Sequence, residues 1–146
     1  IFKISARDAI NTSPLFDEIK NNLPDGPAYY PKDQLTDRNE RFFVTEIIRE
    51  EILLQFRQEI PYACEVAIET YQEEDHITRI AALIFVSRKT QKGIIIGKAG
   101  SAIKKLGTAA RLKIEKFLET KVYLELHVKV KKDWRDDQNM LRRFGY

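Results

Sequence analysis

The sequence predicts an α+β domain in which one β-sheet is covered by helices on one face, with elements in the order α-β-β-α-α-β. Three observations predict it. Two segments of alternating apolar residues flank the acidic turn Glu73-Glu74-Asp75, as in an antiparallel hairpin. Two long stretches with apolar residues near 3.6-residue spacing, one from Asp37 toward Pro61 and one from Ser101 to about Glu119, bracket that hairpin. A third alternating segment, 121–131, follows the second of them. The 146 residues allow one sizeable core and a small annex. With 43% hydrophobic and 32% charged residues, the chain carries enough apolar surface to offset its conformational entropy.

Taken in order, Ile1-Phe2-Lys3-Ile4 reads as a short strand, running through Ser5-Ala6 toward a helical stretch from Thr12 to Leu23. Leu15, Phe16, Ile19 and Leu23 mark its apolar face, and Ser13 before Pro14 resembles an N-cap with Pro at the first helical position. One strand and one helix cannot close a core of their own. Three Pro and one Gly fall within residues 24–31, which reads as an extended linker. The expected division is therefore an annex at 1–24, a linker at 25–37, the main domain at 38–132 and a polar tail at 133–146.

Asp37 with Glu40 forms a capping-box pattern at the start of the long helix. Its Phe43, Val44, Ile47, Ile48 and Leu54 face inward until Pro61 stops it. In the first strand Cys64, Val66, Ile68 and Thr70 take the core phase, while Glu65, Ala67, Glu69 and Tyr71 alternate outward. The second strand, 76–88, turns Ile80, Ala82, Ile84 and Val86 inward. The helix from Ser101 shows Ile103, Leu106, Ala110, Ile114, Phe117 and Leu118 on one face. In the last strand Val122, Leu124, Leu126, Val128 and Val130 face in, and Tyr123, Glu125, His127 and Lys129 face out.

Composition excludes several classes of function. A single Cys rules out a disulfide framework and a Cys-rich zinc site and suggests a reducing compartment. Cys64 falls in the core phase and reads as a small buried hydrophobe. His76 and His127 have no ligand-spaced partners, so no metal site is expected. Ser101 has no His partner and Asp136-Asp137 lie adjacent on a polar tail, so no catalytic residue is expected. Trp134 reads as an anchor for that tail. The longest apolar run, 80–86, is far short of the roughly 20 residues of a membrane span. The chain does not begin with Met, its one Met being Met140, and is expected to be a piece of a longer protein.

The net charge of +3 names no partner by itself. Resolved along the chain it is uneven: −2 over 1–37, −6 over 38–75, and +8 over 88–116, where nine basic residues meet only Glu115. A local positive field of this kind marks an anionic ligand better than the total does. At its centre stands Gly93-Ile94-Ile95-Ile96-Gly97-Lys98-Ala99-Gly100-Ser101-Ala102-Ile103. Gly97 and Gly100 let the backbone turn sharply and approach another chain closely. The amides opening the following helix lack intrahelical partners and point outward with the positive end of the helix dipole, a ready anion site. Lys98, Lys104 and Lys105 add mobile positive charge, Arg88 and Lys92 extend the basic rim, and the isoleucines offer apolar surface for flat bases. Backbone held by glycines beside an apolar groove suits single-stranded nucleic acid.

A bare Gly-x-x-Gly occurs in many ordinary turns. The longer run Ile-Ile-Gly-x-x-Gly-x-x-Ile, inside a basic segment and after a hairpin, resembles the KH domain, whose Gly-x-x-Gly loop clamps about four nucleotides. The helix and strand preceding the motif resemble the bacterial, type II arrangement over residues 38–132, which implies a three-stranded mixed sheet with the last strand parallel to the one entering the motif. Residues 29–38 (YYPKDQLTDR), 128–137 (VKVKKDWRDD) and the closing RRFGY are similar to the corresponding parts of Era-type bacterial GTPases. Ile4-Ser5-Ala6 resembles the last guanine-contacting loop of such GTPases, which would make 1–24 a remnant of the nucleotide domain and Ser5 and Ala6 remnant nucleotide contacts. The chain departs from that family in having no Gly-x-x-x-x-Gly-Lys-Ser/Thr loop, no magnesium-binding Asp motif and no Asn-Lys-x-Asp motif.

The resemblance implies single-stranded RNA binding, at the 3′ end of small-subunit (16S) ribosomal RNA, within a GTPase that assembles the small ribosomal subunit. It implies Gly97, Lys98, Ala99 and Gly100 as the RNA clamp and Ile95 and Ile96 as groove floor. GTP and magnesium belong to the full-length parent, and the fragment is expected to need no cofactor and to be no enzyme. No DNA partner is expected. A cytoplasmic location follows, with peripheral inner-membrane contact in some members of the family. The competing reading is a protein-docking module that uses the same fold as scaffold, served by the acidic stretch 38–75.

Overall fold

The computed structural model describes residues 1–27, 39–135, 137, 138 and 142. The chain divides into two compact units, Ile1–Asp37 and Arg38–Tyr146.

In the first unit the strand expected at residues 1–4 does not form. Among the described residues a single bridge, Ser5 with Ile10, is the extent of the pairing. A strand is held by hydrogen bonds to a neighbour, and no described strand pairs with these four residues. Helix α1 (Thr12–Asn22) starts two residues earlier than Pro14 suggests, because Asn11, at φ 55°, takes the capping position in left-handed backbone. Pro14 then sits within the first turn, where its missing N–H leaves no bond unmade. No residue of α1 is buried, and Phe16 on its apolar face is 67% exposed.

The second unit opens with helix α2 (Glu40–Gln55). Asn39 caps it, its Oδ1 accepting the Phe42 N–H at 3.0 Å. Asp37, the expected cap, lies outside the described residues, as do 28–36 of the expected linker and 143–146 of the tail. The helix stops at Gln55 rather than running on to Pro61. Gln58 at φ 58° breaks the path, and Pro61 falls in the first turn of a new short helix, α3 (Ile60–Ala63), where Pro is favoured.

The sheet has order β1-β2-β3, with β1 (Cys64–Glu74), β2 (Ile77–Val86) and β3 (Lys121–Val130). β1 and β2 pair antiparallel, while β2 and β3 are parallel, joined by a crossover of α4 (Lys89–Ile96) and α5 (Ser101–Leu118). Only a long connection can bring two strands parallel, so the helices between them are a consequence of the pairing. The alternation in β1 breaks at a bulge: Ile68 pairs with Ala82 but Thr70 pairs with Ala81, leaving Glu69 as the extra residue. Beyond it the phase reverses. Thr70, expected inward, is exposed, and Tyr71 turns to the core instead. Val130, also expected inward, is 39% exposed at the end of its strand.

The core lies between one sheet face and the helices. Val44, Ile48 and Ile52 from α2, Ile80, Ala82, Ile84 and Val86 from β2, and Leu106, Ala110 and Ile114 from α5 meet there. Each wholly buried Ile or Leu contributes roughly 1.5–3 kcal/mol. Polar ties bind the two long helices. Lys113 Nζ reaches Glu51 at 2.7 Å and Glu50 at 2.9 Å, and the Phe43 and Phe117 rings lie 5.3 Å apart. Burial alone would raise the Glu51 pKa, but its bonds to Lys113 and Gln55 outweigh that and hold the carboxyl below its ordinary value. Burial pushes the Cys64 thiol up to about 11, in keeping with its expected core position. Trp134 is 4% exposed, and the Lys131 N–H donates to Val86 O at 2.9 Å, carrying the parallel ladder one residue past β3.

Candidate nucleic-acid interface

The basic segment becomes the crossover itself. Gln91 ties its start to β2, since Oε1 accepts the N–H groups of Ser87 at 3.1 Å and Arg88 at 3.0 Å. Helix α4 ends where the Gly97 N–H donates to Gly93 O at 2.9 Å. Gly97 then takes φ 73°, ψ 177°, a conformation open essentially to glycine alone. The Gly100 N–H returns to Gly97 O at 3.2 Å, closing a single 3₁₀ turn over Lys98–Gly100. Gly100 is left-handed at φ 77°, ψ 10°, and Ala99 between them is left-handed as well, at φ 49°, ψ 31°. A Cβ on Gly97 would stand 2.6 Å from Ala102 Cβ, so this glycine also makes room for the first turn of α5. No side chain caps the start of α5. Its opening amides face the turn, where helix dipole and free N–H groups favour an anion.

Of the residues singled out from the sequence, Gly97, Lys98, Ala99 and Gly100 form this turn, with Lys98 and Ala99 exposed at its tip. Lys104 and Lys105 lie exposed on the first turns of α5. Arg88 caps the far end of α4, about 12 Å along the helix from the turn, and Lys92 sits between them. Among the described residues none of these five cations makes an ion pair, whereas Arg111, Lys113 and Lys129 all do. Ile95 requires correction: it is wholly buried in the core and cannot be a groove floor that bases touch. The α4 helix turns Ile95 inward and leaves Ile94 50% exposed, with Ile96 half-buried.

The groove is elsewhere, between α5 and β3. A cleft of about 300 Å³ is lined by Ile103, Lys104, Gly107, Thr108 and Arg111 from the helix, and by Leu124 and Leu126 from the strand. Sequence periodicity had put Ile103, Leu124 and Leu126 in the core and passed over Gly107, Thr108 and Arg111. Gly107 was the signal available, a lone glycine inside a strong helical pattern. Glu115 orients this wall: its Oε1 accepts Arg111 Nη1 at 2.9 Å and the Val122 N–H at 3.1 Å. Those bonds, the backbone one foremost, hold the Glu115 carboxyl below its ordinary range. A second cleft of about 320 Å³ surrounds the Arg49–Glu65 pair and shares no residue with the first. Among the described residues no cluster of His, Cys, Asp and Glu could hold a metal, and no helix is long and apolar enough to cross a membrane.

The geometry agrees with comparison to known proteins. Residues 59–135 match the profile of the KH domain. The chain belongs to the KH domain family. Both features expected of the type II arrangement, the mixed three-stranded sheet and the parallel last strand, are present in this KH domain. At full length the chain matches the C-terminal part of Era GTPases. It is 47% identical over 148 residues to the GTPase Era of Syntrophus aciditrophicus, covering all of this chain and 48% of that protein. It is 50% identical over 147 residues to the chloroplastic GTPase ERA-like protein of Oryza sativa, covering 35% of it. The chain thus spans half or less of the length of these relatives. A crystal structure of an Aquifex aeolicus Era variant bound to GDP and aluminium fluoride superimposes with a TM-score of 0.91 at 38% identity, over 98% of this chain and 48% of that one. A crystal structure of Era in complex with MgGDPNP and nucleotides 1506–1542 of 16S ribosomal RNA superimposes at 0.92, with the same identity and coverage.

Proposed function

We propose that this chain binds single-stranded RNA through its KH cleft, with the 3′ end of small-subunit ribosomal RNA as the ligand. It does so as the RNA-reading part of a GTPase acting in small ribosomal subunit assembly. One observation carries the reading: the glycine turn, an uncapped helix start and cations without ion pairs converge beside an apolar cleft. Phosphates fit the turn and Lys98, while bases fit the cleft. The Era structure holding 16S ribosomal RNA, 38% identical to this chain, supports the choice of ligand. GTP and magnesium are assigned to the parent protein, whose relatives are named GTPases; the missing phosphate-loop, magnesium and guanine motifs assign no hydrolysis to this part. The bridged turn at Ser5 and Ala6 is read as the remnant of a guanine-contacting loop. The location proposed is the cytoplasm, with peripheral inner-membrane contact for the parent.

The test is the double variant Lys98→Asp with Ala99→Asp. Asp tolerates the left-handed backbone found at Ala99 better than most residues, so the fold is retained while negative charge meets phosphate. Fluorescence anisotropy with single-stranded RNA should show affinity falling at least tenfold, and log K for the parent should fall linearly with log salt. A folded double variant that binds as tightly as the parent would transfer the function to protein docking.

A further inference from the structure

Helix α5 turns Ile103, Gly107 and Arg111 toward Leu124 and Leu126 of β3, at positions i, i+4 and i+8 of one stripe. A glycine in the middle of that stripe weakens the helix relative to alanine. Two structural reasons ordinarily keep glycine in such a place, and neither holds here. The backbone is not left-handed, unlike that of Gly97 and Gly100. There is also room for a side chain: a Cβ would lie 3.5 Å from Leu126 Cδ1 and 4.0 Å from its Cγ, ordinary van der Waals contact. What the glycine keeps empty is the cleft.

The rim of that cleft is polar in a particular way. The Thr108 hydroxyl spends its proton on Lys104 O, at 2.9 Å, so its lone pairs face outward as acceptors. Arg111 gives Nη1 to Glu115, which orients the guanidinium and leaves its remaining N–H groups as donors. An apolar slot with one acceptor and several donors at its edge suits the face and edge of a planar heteroaromatic ring rather than a phosphate.

We propose that Gly107 is the floor of a slot for one nucleobase of the bound strand, with Leu124 and Leu126 as the facing wall and Thr108 and Arg111 reading the base edge. The inference rests on the RNA-binding function proposed above and assigns the base-sized part of that site. A methyl group at Gly107 fills the slot without disturbing the fold.

The test uses short single-stranded RNAs tiled across nucleotides 1506–1542 of 16S ribosomal RNA, the segment held in the related Era structure. Gly107→Ala should melt no lower than the parent and bind the best oligonucleotide roughly tenfold more weakly, the loss of about one stacked base. Abasic replacement at one nucleotide should weaken the parent by a similar factor and leave Gly107→Ala no weaker than before. Gly107→Ser is read in the same way. If Gly107→Ala binds as the parent does while Lys98→Asp with Ala99→Asp loses binding, the slot is refuted and RNA binding stands. The slot is also refuted if the Gly107→Ala loss is the same whichever nucleotide is made abasic. A parent that binds none of the oligonucleotides overturns the function and the slot together.

Discussion

Gly97 and Gly100 belong to one turn, yet replacing them by alanine should cost very different amounts. At Gly97 two penalties combine. The φ 73°, ψ 177° backbone excludes side-chain-bearing residues at a cost of about 1–3 kcal/mol. A Cβ would also lie 2.6 Å from Ala102 Cβ and 2.9 Å from Ala102 N, forcing the first turn of α5 to shift. Overpacking of that kind adds about 1–3 kcal/mol. At Gly100 the φ 77°, ψ 10° backbone carries only the left-handed penalty, about 1–2 kcal/mol, since nothing stands within 4 Å of the new Cβ. Gly97→Ala should therefore be about 2–3 kcal/mol less stable than Gly100→Ala. Against a domain stability of about 5–15 kcal/mol this is a large difference. Urea unfolding followed by circular dichroism reads it directly: at an m-value of about 1–3 kcal/mol/M the Gly97→Ala midpoint falls about 1–2 M below that of Gly100→Ala. Equal midpoints would refute the contrast, and with it the close approach of Gly97 to α5.

Two further expectations concern titration and reactivity. Glu51 and Glu115 both have carboxyls held below the ordinary 4.5 in the folded state, so their contribution to stability is complete above that value and lost as pH falls through it. Melting temperature should be level above about pH 5 and drop below it, and Glu115→Gln or Glu51→Gln should flatten the acid limb; an unchanged limb sinks the assignment. Cys64, buried with its thiol raised to about 11, should resist iodoacetamide at pH 8 until urea unfolds the domain, and rapid labelling of the native protein would contradict its placement.

Much of this fold is legible in the residues because each strand keeps one apolar phase. Ile80, Ala82, Ile84 and Val86 were identifiable as core from alternation alone, since the central strand is flanked on both edges. The phase failed in β1 past Ile68, where the bulge at Glu69 inserts a residue that no alternation rule anticipates. Pro61 misled because proline is compatible with a helix start as well as with a helix stop. The glycine turn was recognisable by its spacing, but its groove was not. Leu124 and Leu126 have the periodicity of core residues and point to the helical side of the sheet, yet they lie where α5 leaves a gap. Periodicity tells which way a side chain points; only the placement of the neighbouring helix tells whether it is covered.

The parallel strand pair has a consequence for the order in which the site comes to exist. Ile77 lies beside Lys121, about 44 residues further along, and α4, the glycine turn and α5 all fall inside that closure. Contacts so distant in sequence are slow to form, because loop entropy is lost before any contact compensates it. The cleft takes one wall, Leu124 and Leu126, from the strand that closes the loop. A chain emerging from a ribosome therefore has its basic helices well before it has a cleft, and it acquires the cleft only when β3 is out and docked. The end of the domain's synthesis and the start of its competence to bind are one event.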